Sequence, residues 1–139
     1  MQMVRRVMTG ALMTLTLAGA MAQAPKVVRI GVPLEASGKF VAYGAQGQRG
    51  VEMAVEAFGG TVAGHKIEIL MRDIQSTNKG TVSAMTDLLE KEKTDFVVGP
   101  ITSGLVAAAV PAWRQRKPLW IVPGSSAPAF EEAIANEPM

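Results

Sequence analysis

The chain of 139 residues contains no cysteine. Disulfides and thiolate metal ligands are thereby excluded together, and core burial is left as the source of stability. There is one histidine, His65. Without a second histidine or any cysteine, neither a histidine-rich metal site nor a histidine-based triad has its parts. His65 follows Gly64 and reads as a turn residue. No metal or cofactor is expected. A basic surplus is missing as well, because residues 1–22 hold Arg5 and Arg6 and no acid, which leaves 12 Lys and Arg against 12 Asp and Glu in the rest. With one short basic cluster over residues 114–117, no nucleic-acid partner is expected.

The apolar stretch over residues 7–18 is shorter than the roughly 20 residues of a membrane-spanning helix. It follows Arg5-Arg6 and ends in Ala20-Met21-Ala22, a small-x-small pattern that predicts a signal peptide over residues 1–22 and cleavage near Ala22. Export to the periplasm follows, with residues 23–139 as the mature part. The general secretory route fits better than twin-arginine export, whose flanking residues are missing, and no cysteine follows the signal to carry a lipid anchor.

Hydrophobic period places the elements. Residues 27–32 form a β-branched run stopped by Pro33, a buried strand. Between residues 47 and 58, Val51, Ala54, Val55 and Phe58 fall at i, i+3, i+4 and i+7 of a helix closed by Gly59-Gly60. A second strand covers residues 66–71, and residues 73–78 form a loop in which Asp73 acts as a cap or loop-ordering residue. Val82, Met85, Leu88 and Leu89 mark a helix, residues 96–98 a third strand. Ser103 opens a third helix, on which Val106, Ala109, Val110 and Trp113 share a face and Pro111 predicts a bend. Residues 119–122 make a fourth strand, and a short helix is expected over residues 128–135. Trp113 and Trp120 fall on helix and strand periods and read as packing residues. This βαβαβαβα order predicts a doubly wound, mostly parallel α/β sheet.

Ligands of open α/β sheets bind outside the carboxyl ends of the strands. The loops leaving those ends contain Glu35 to Gly38 and Tyr43, Asp73 to Asn78, Gly99 to Gly104, and Pro123-Gly124-Ser125-Ser126. The last two loops place glycines and hydroxyls ahead of helices, where free amides and the helix dipole favour a carboxylate. Ser103 and Ser126 are also good helix caps, and a cap alone is worth about 1 kcal/mol. Tyr43, the only tyrosine, either covers a ligand's apolar part or packs beneath its loop. The Gly44, Gly47, Gly50 spacing lacks the form of a nucleotide loop. No nucleophile has a base beside it, which argues against an enzyme.

Several blocks, weak singly, are specific in their order: Val28-Arg29-Ile30-Gly31-Val32, Val41-Ala42-Tyr43-Gly44, Gly50-Val51-Glu52-Met53-Ala54-Val55, Gly64-His65-Lys66-Ile67-Glu68, Asp73-Ile74-Gln75-Ser76, Val98-Gly99-Pro100, Thr102-Ser103-Gly104 and Pro118-Leu119-Trp120-Ile121-Val122-Pro123-Gly124. Through them the mature segment resembles the periplasmic solute-binding proteins of branched-chain amino acid ABC transporters, with their amide- and urea-binding relatives. The resemblance implies the first part of lobe 1 of a type I periplasmic binding protein fold, with the second lobe outside this sequence. It implies an amino acid-like solute and the membrane permease of an ABC importer as partners. It also implies ligand-binding roles for Tyr43, Ser103, Gly124, Ser125 and Ser126. A ligand-sensing module of a receptor or regulator with the same fold is the alternative. Glu35, Lys39, Arg72 and the basic residues 114–117 depart from the family pattern.

Overall fold

The computed structural model describes residues 26–125 and Ala135. Its elements are β1 (Val27–Leu34), α1 (Val41–Ala57), β2 (Thr61–Val62), β3 (His65–Asp73), α2 (Asn78–Thr86), β4 (Phe96–Val98), α3 (Ser103–Trp113) and β5 (Leu119–Ile121). A π-helical turn, Asp87–Lys91, prolongs α2. The helix expected over residues 128–135 lies outside the described residues except for Ala135.

One sheet has the order β2-β3-β1-β4-β5. All its pairings are parallel except the short β2–β3 hairpin. That hairpin was not expected. Ala63 and Gly64 both take positive φ, 48° and 78°, as the tight turn between Val62 and His65 requires. His65 is thus the first residue of β3 and not a turn residue.

β1 runs through Pro33 to Leu34, two residues beyond the expected end at Val32. Its register with β4 covers only Ile30 and Gly31, whereas pairing with β3 continues to Leu34. The amide that proline lacks therefore falls where β1 has already left one neighbour. α1 begins at Val41, six residues before the expected start at 47.

Alternation along the strands sends successive side chains to opposite faces. Val97 packs with Met85, Leu89, Ala109 and Ala112 of α2, its π-helical extension and α3, against Trp113 and Trp120. The two indoles, 5.8 Å apart, behave as the packing residues expected of them. Val98 faces α1, whose Val51, Ala54 and Val55 look onto Ile30, Val32 and Leu34 across an apolar cavity of about 470 Å³. The helices thus flank both faces. On α2 and its π-helical extension the inward positions are Thr81, Ala84, Met85, Leu88 and Leu89, and Val82, expected on the inner stripe, is exposed. Thr81 tolerates burial because its hydroxyl donates to the Thr77 carbonyl at 2.8 Å.

Candidate functional site

β1 hands its chain through α1 to β3 on one side, and β4 hands its chain through α3 to β5 on the other. The gap between the carboxyl ends of β1 and β4 is therefore a topological switch point, the place where open α/β sheets hold ligands. An open cavity of about 320 Å³ lies there, lined by Phe40, Tyr43, Ile101, Thr102, Ser103 and Gly124. Three of the expected site residues, Tyr43, Ser103 and Gly124, are thus brought together. Ser125 is not among the lining residues; its Oγ is buried without a hydrogen-bond partner among the described residues. Ser126 lies outside the described residues.

Tyr43 stands on the first turn of α1, and not in a loop as expected; the residue is 55% exposed and its ring centroid is 6.4 Å from that of Phe40. The helix starts early because Gly44 has no side chain. A Cβ there would lie 2.2 Å from the Glu35 carbonyl oxygen, so only glycine lets α1 approach the end of β1 this closely. At the opposite wall, a Cβ on Gly124 would lie 2.9 Å from Ile101 Cγ2. This glycine keeps the loop after β5 close against the loop after β4.

Ser103 is the first residue of α3, while Thr102 occupies the cap position without a side-chain cap bond. The Thr102 carbonyl accepts from the amides of Leu105 at 2.9 Å and Val106 at 3.0 Å. The N-cap position of α3 thus belongs to Thr102 and not to Ser103.

Side chains rather than regular ladders hold the walls in place. Asp73 accepts from the Ser37 hydroxyl at 2.7 Å, the Ser37 amide at 3.1 Å and the Gln75 amide at 2.8 Å. Burial opposes ionisation of Asp73, but these bonds from Ser37 and Gln75 outweigh it and hold the carboxyl below its ordinary value. Ser76 donates to the Ser37 carbonyl at 2.6 Å and accepts from the Phe40 amide at 3.1 Å. From the other side, Glu35 Oε1 accepts from the amides of Ile101 at 3.3 Å and Thr102 at 3.0 Å. Lys39 places its ammonium 4.6 Å from the centroid of Phe40, within cation–π reach.

A larger groove of about 590 Å³ lies away from the switch point, between the end of β3 and α2. Its Arg72 donates to Asp87 at 2.7 Å and pairs with Glu92. The bond to Asp87 comes first in raising the arginine's pKa, and bonds from Lys91 and then Arg72 lower that of Asp87. This is a structural ion-pair network, and it gives the unusual arginine at 72 its own partners.

Sequence reasoning named the glycines and hydroxyls of the site and missed Phe40, Ile101 and Thr102. Phe40 follows the loop and precedes the helix, outside any apolar period. Glu35 was visible only as a charge in the first loop, since nothing in spacing places it against residues 66 and 67 positions away.

A family model described as periplasmic binding protein matches residues 27–136. A Leu/Ile/Val-binding protein homolog 1 from Brucella abortus is 32% identical over 116 residues, 82% of this chain and 30% of the relative. Among solved structures, the branched-chain amino acid transporter substrate binding protein LivJ from Streptococcus pneumoniae, in complex with isoleucine, superposes with a TM-score of 0.73 at 33% identity, over 77% of this chain and 31% of that one. A solute binding protein of an ABC transporter from R. palustris, in complex with benzoate, gives a TM-score of 0.67 at 30% identity, over 73% and 28%. The chain spans about a third of the length of these relatives. By the extent of the family match and the shared fold, the chain belongs to the periplasmic binding protein family.

Proposed function

We propose that this chain forms one wall of the solute site in the extracytoplasmic substrate-binding component of an ABC importer, taking amino acids or related small polar solutes. The observation that carries the reading is the meeting of Tyr43, Ser103 and Gly124 around one cavity at the β1/β4 switch point. In this reading the hydroxyl of Ser103 and the amides of the loop after β5 hold a carboxylate, with Ser125 and Ser126 next after Gly124 in sequence. Phe40 and Tyr43 cover the solute's apolar part. The partner is a membrane permease, and residues 1–22 act as a signal peptide that sends the chain to the periplasm. The chain has no catalytic role.

A second reading takes a small aromatic acid as the solute. It is favoured by the R. palustris relative in complex with benzoate and by the paired rings of Phe40 and Tyr43.

Titration of the isotope-labelled chain with isoleucine and with benzoate tests the site. Amide shifts concentrated at Tyr43, Ser103 and Gly124 are expected, with weak affinity, because one wall buries only part of a solute that a cleft would surround. Shifts centred on the apolar cavity beneath α1, or micromolar binding by this chain alone, would contradict the proposal.

A further inference from the structure

We infer that Glu35 is a positioning residue of the candidate site: it touches no solute, and it fixes Thr102 and Ser103 in place relative to Tyr43. The inference rests on the site proposed above and adds the part that joins its two walls.

The loop after β4 has little main-chain bonding of its own. Gly99 still donates to the Ile121 carbonyl of β5 at 2.9 Å, and Pro100 has no amide to donate. Helical bonding begins only where the Thr102 carbonyl accepts from Leu105 and Val106. Between these points the amides of Ile101 and Thr102 both donate to Glu35 Oε1, at 3.3 and 3.0 Å, across 66 and 67 positions of sequence. Glu35 is buried, at 0% exposure, so water does not compete for that acceptor.

The same residue meets the other wall through its main chain. A Cβ on Gly44 would lie 2.2 Å from the Glu35 carbonyl oxygen, which sets the first turn of α1, and Tyr43 with it, directly against residue 35. Glu35 therefore abuts α1 with its backbone and holds the loop after β4 with its side chain. Ile101, Thr102 and Ser103 line the cavity together with Phe40 and Tyr43. Loss of Oε1 would leave two part-buried amides without their acceptor and release this loop. A loop already held before solute arrives does not have to be ordered by binding, so affinity is greater for it.

Titration of labelled variants with isoleucine tests the role. Glu35→Ala removes the acceptor and should weaken isoleucine roughly tenfold. Glu35→Gln keeps an acceptor oxygen at the same reach and should restore affinity to within about threefold of the unaltered chain. Met85→Ala, in the core between α2, α3 and the sheet, controls for stability alone; it should lower the melting temperature and leave isoleucine affinity within about twofold. Three results overturn the inference: affinity in Glu35→Ala within about twofold of the unaltered chain, no rescue by glutamine, or an equal loss in Met85→Ala. Each of them leaves the site standing. Absence of shifts at Tyr43, Ser103 and Gly124 in the unaltered chain overturns the site itself, and this inference with it. Should Glu35→Ala not fold, Glu35→Asp takes its place, since a side chain one methylene shorter withdraws the acceptor and stays polar. Its isoleucine affinity should fall likewise, and affinity kept within about twofold overturns the inference.

Discussion

The carboxylate of Asp73 accepts both the hydroxyl and the amide of Ser37, at 2.7 and 3.1 Å, across 36 positions of sequence. This bond pair ties the loop after β1 to the loop after β3 and so fixes the wall that carries Phe40 and Tyr43. Because the bonds hold Asp73 below its ordinary value in the folded chain, the unfolded chain binds the proton first. The stability they contribute is complete above the ordinary aspartate value of about 3.9 and is lost as pH falls from there through the folded value. Asp87, also lowered, acts in the same direction. Acidification should therefore lower the protection factors of the Ser37 and Gln75 amides, taken against intrinsic exchange at each pH, and Asp73→Asn should lower them already at neutral pH. Unchanged exchange in the variant would show that the tie does not order the loops.

Gly44→Ala should be among the more damaging small substitutions. The added carbon would lie 2.2 Å from backbone at Glu35, so α1 must move bodily. A loss of about 1 to 3 kcal/mol in denaturant unfolding is expected. Gly50, where an added carbon meets nothing within 4 Å, is the control, and its alanine variant should be no less stable than the unaltered chain.

Tyr43→Ala separates covering from packing. The residue is more than half exposed, so loss of its ring should barely change the melting temperature. Affinity for isoleucine should fall more than affinity for glycine, since only isoleucine offers a side chain for the ring to cover. Equal losses for both solutes would assign Tyr43 to the loop and not to the ligand.

Export is checked by mass. The product isolated from a bacterial periplasm should begin at Gln23, and a product that retains Arg5 and Arg6 would contradict the signal-peptide reading.

The fold was legible wherever burial imposes a period. β1, β4, β5 and the inner stripe of α3 came from runs such as Val97-Val98 and Val106, Ala109, Val110, because each must bury one face, whereas on α2 the expected Val82 is exposed and Thr81 and Ala84 are buried instead. The start of α1 was hidden since its first turn, Val41 to Gly44, is largely exposed and is fixed by a glycine fitting against Glu35, a contact that no pattern encodes. The β2 hairpin was hidden because two residues carry no period and its turn uses Ala63, a residue without a preference for positive φ. Of the site, the hydroxyls and glycines were visible through their place before helices. The braces Asp73–Ser37 and Glu35–Thr102 were not, because they join loops distant in sequence.

The claim on which the account turns is that Ser103 faces solute and does not cap α3. Ser103→Ala, measured in parallel for isoleucine affinity and thermal stability, tests it most directly. A hydroxyl that binds a charged group contributes about 1.5 to 3 kcal/mol, so in a full-length protein whose cleft closes on the solute affinity should fall roughly 10- to 150-fold while the melting temperature stays within error. Loss of thermal stability with affinity kept within twofold would make Ser103 a structural residue and contradict the assignment.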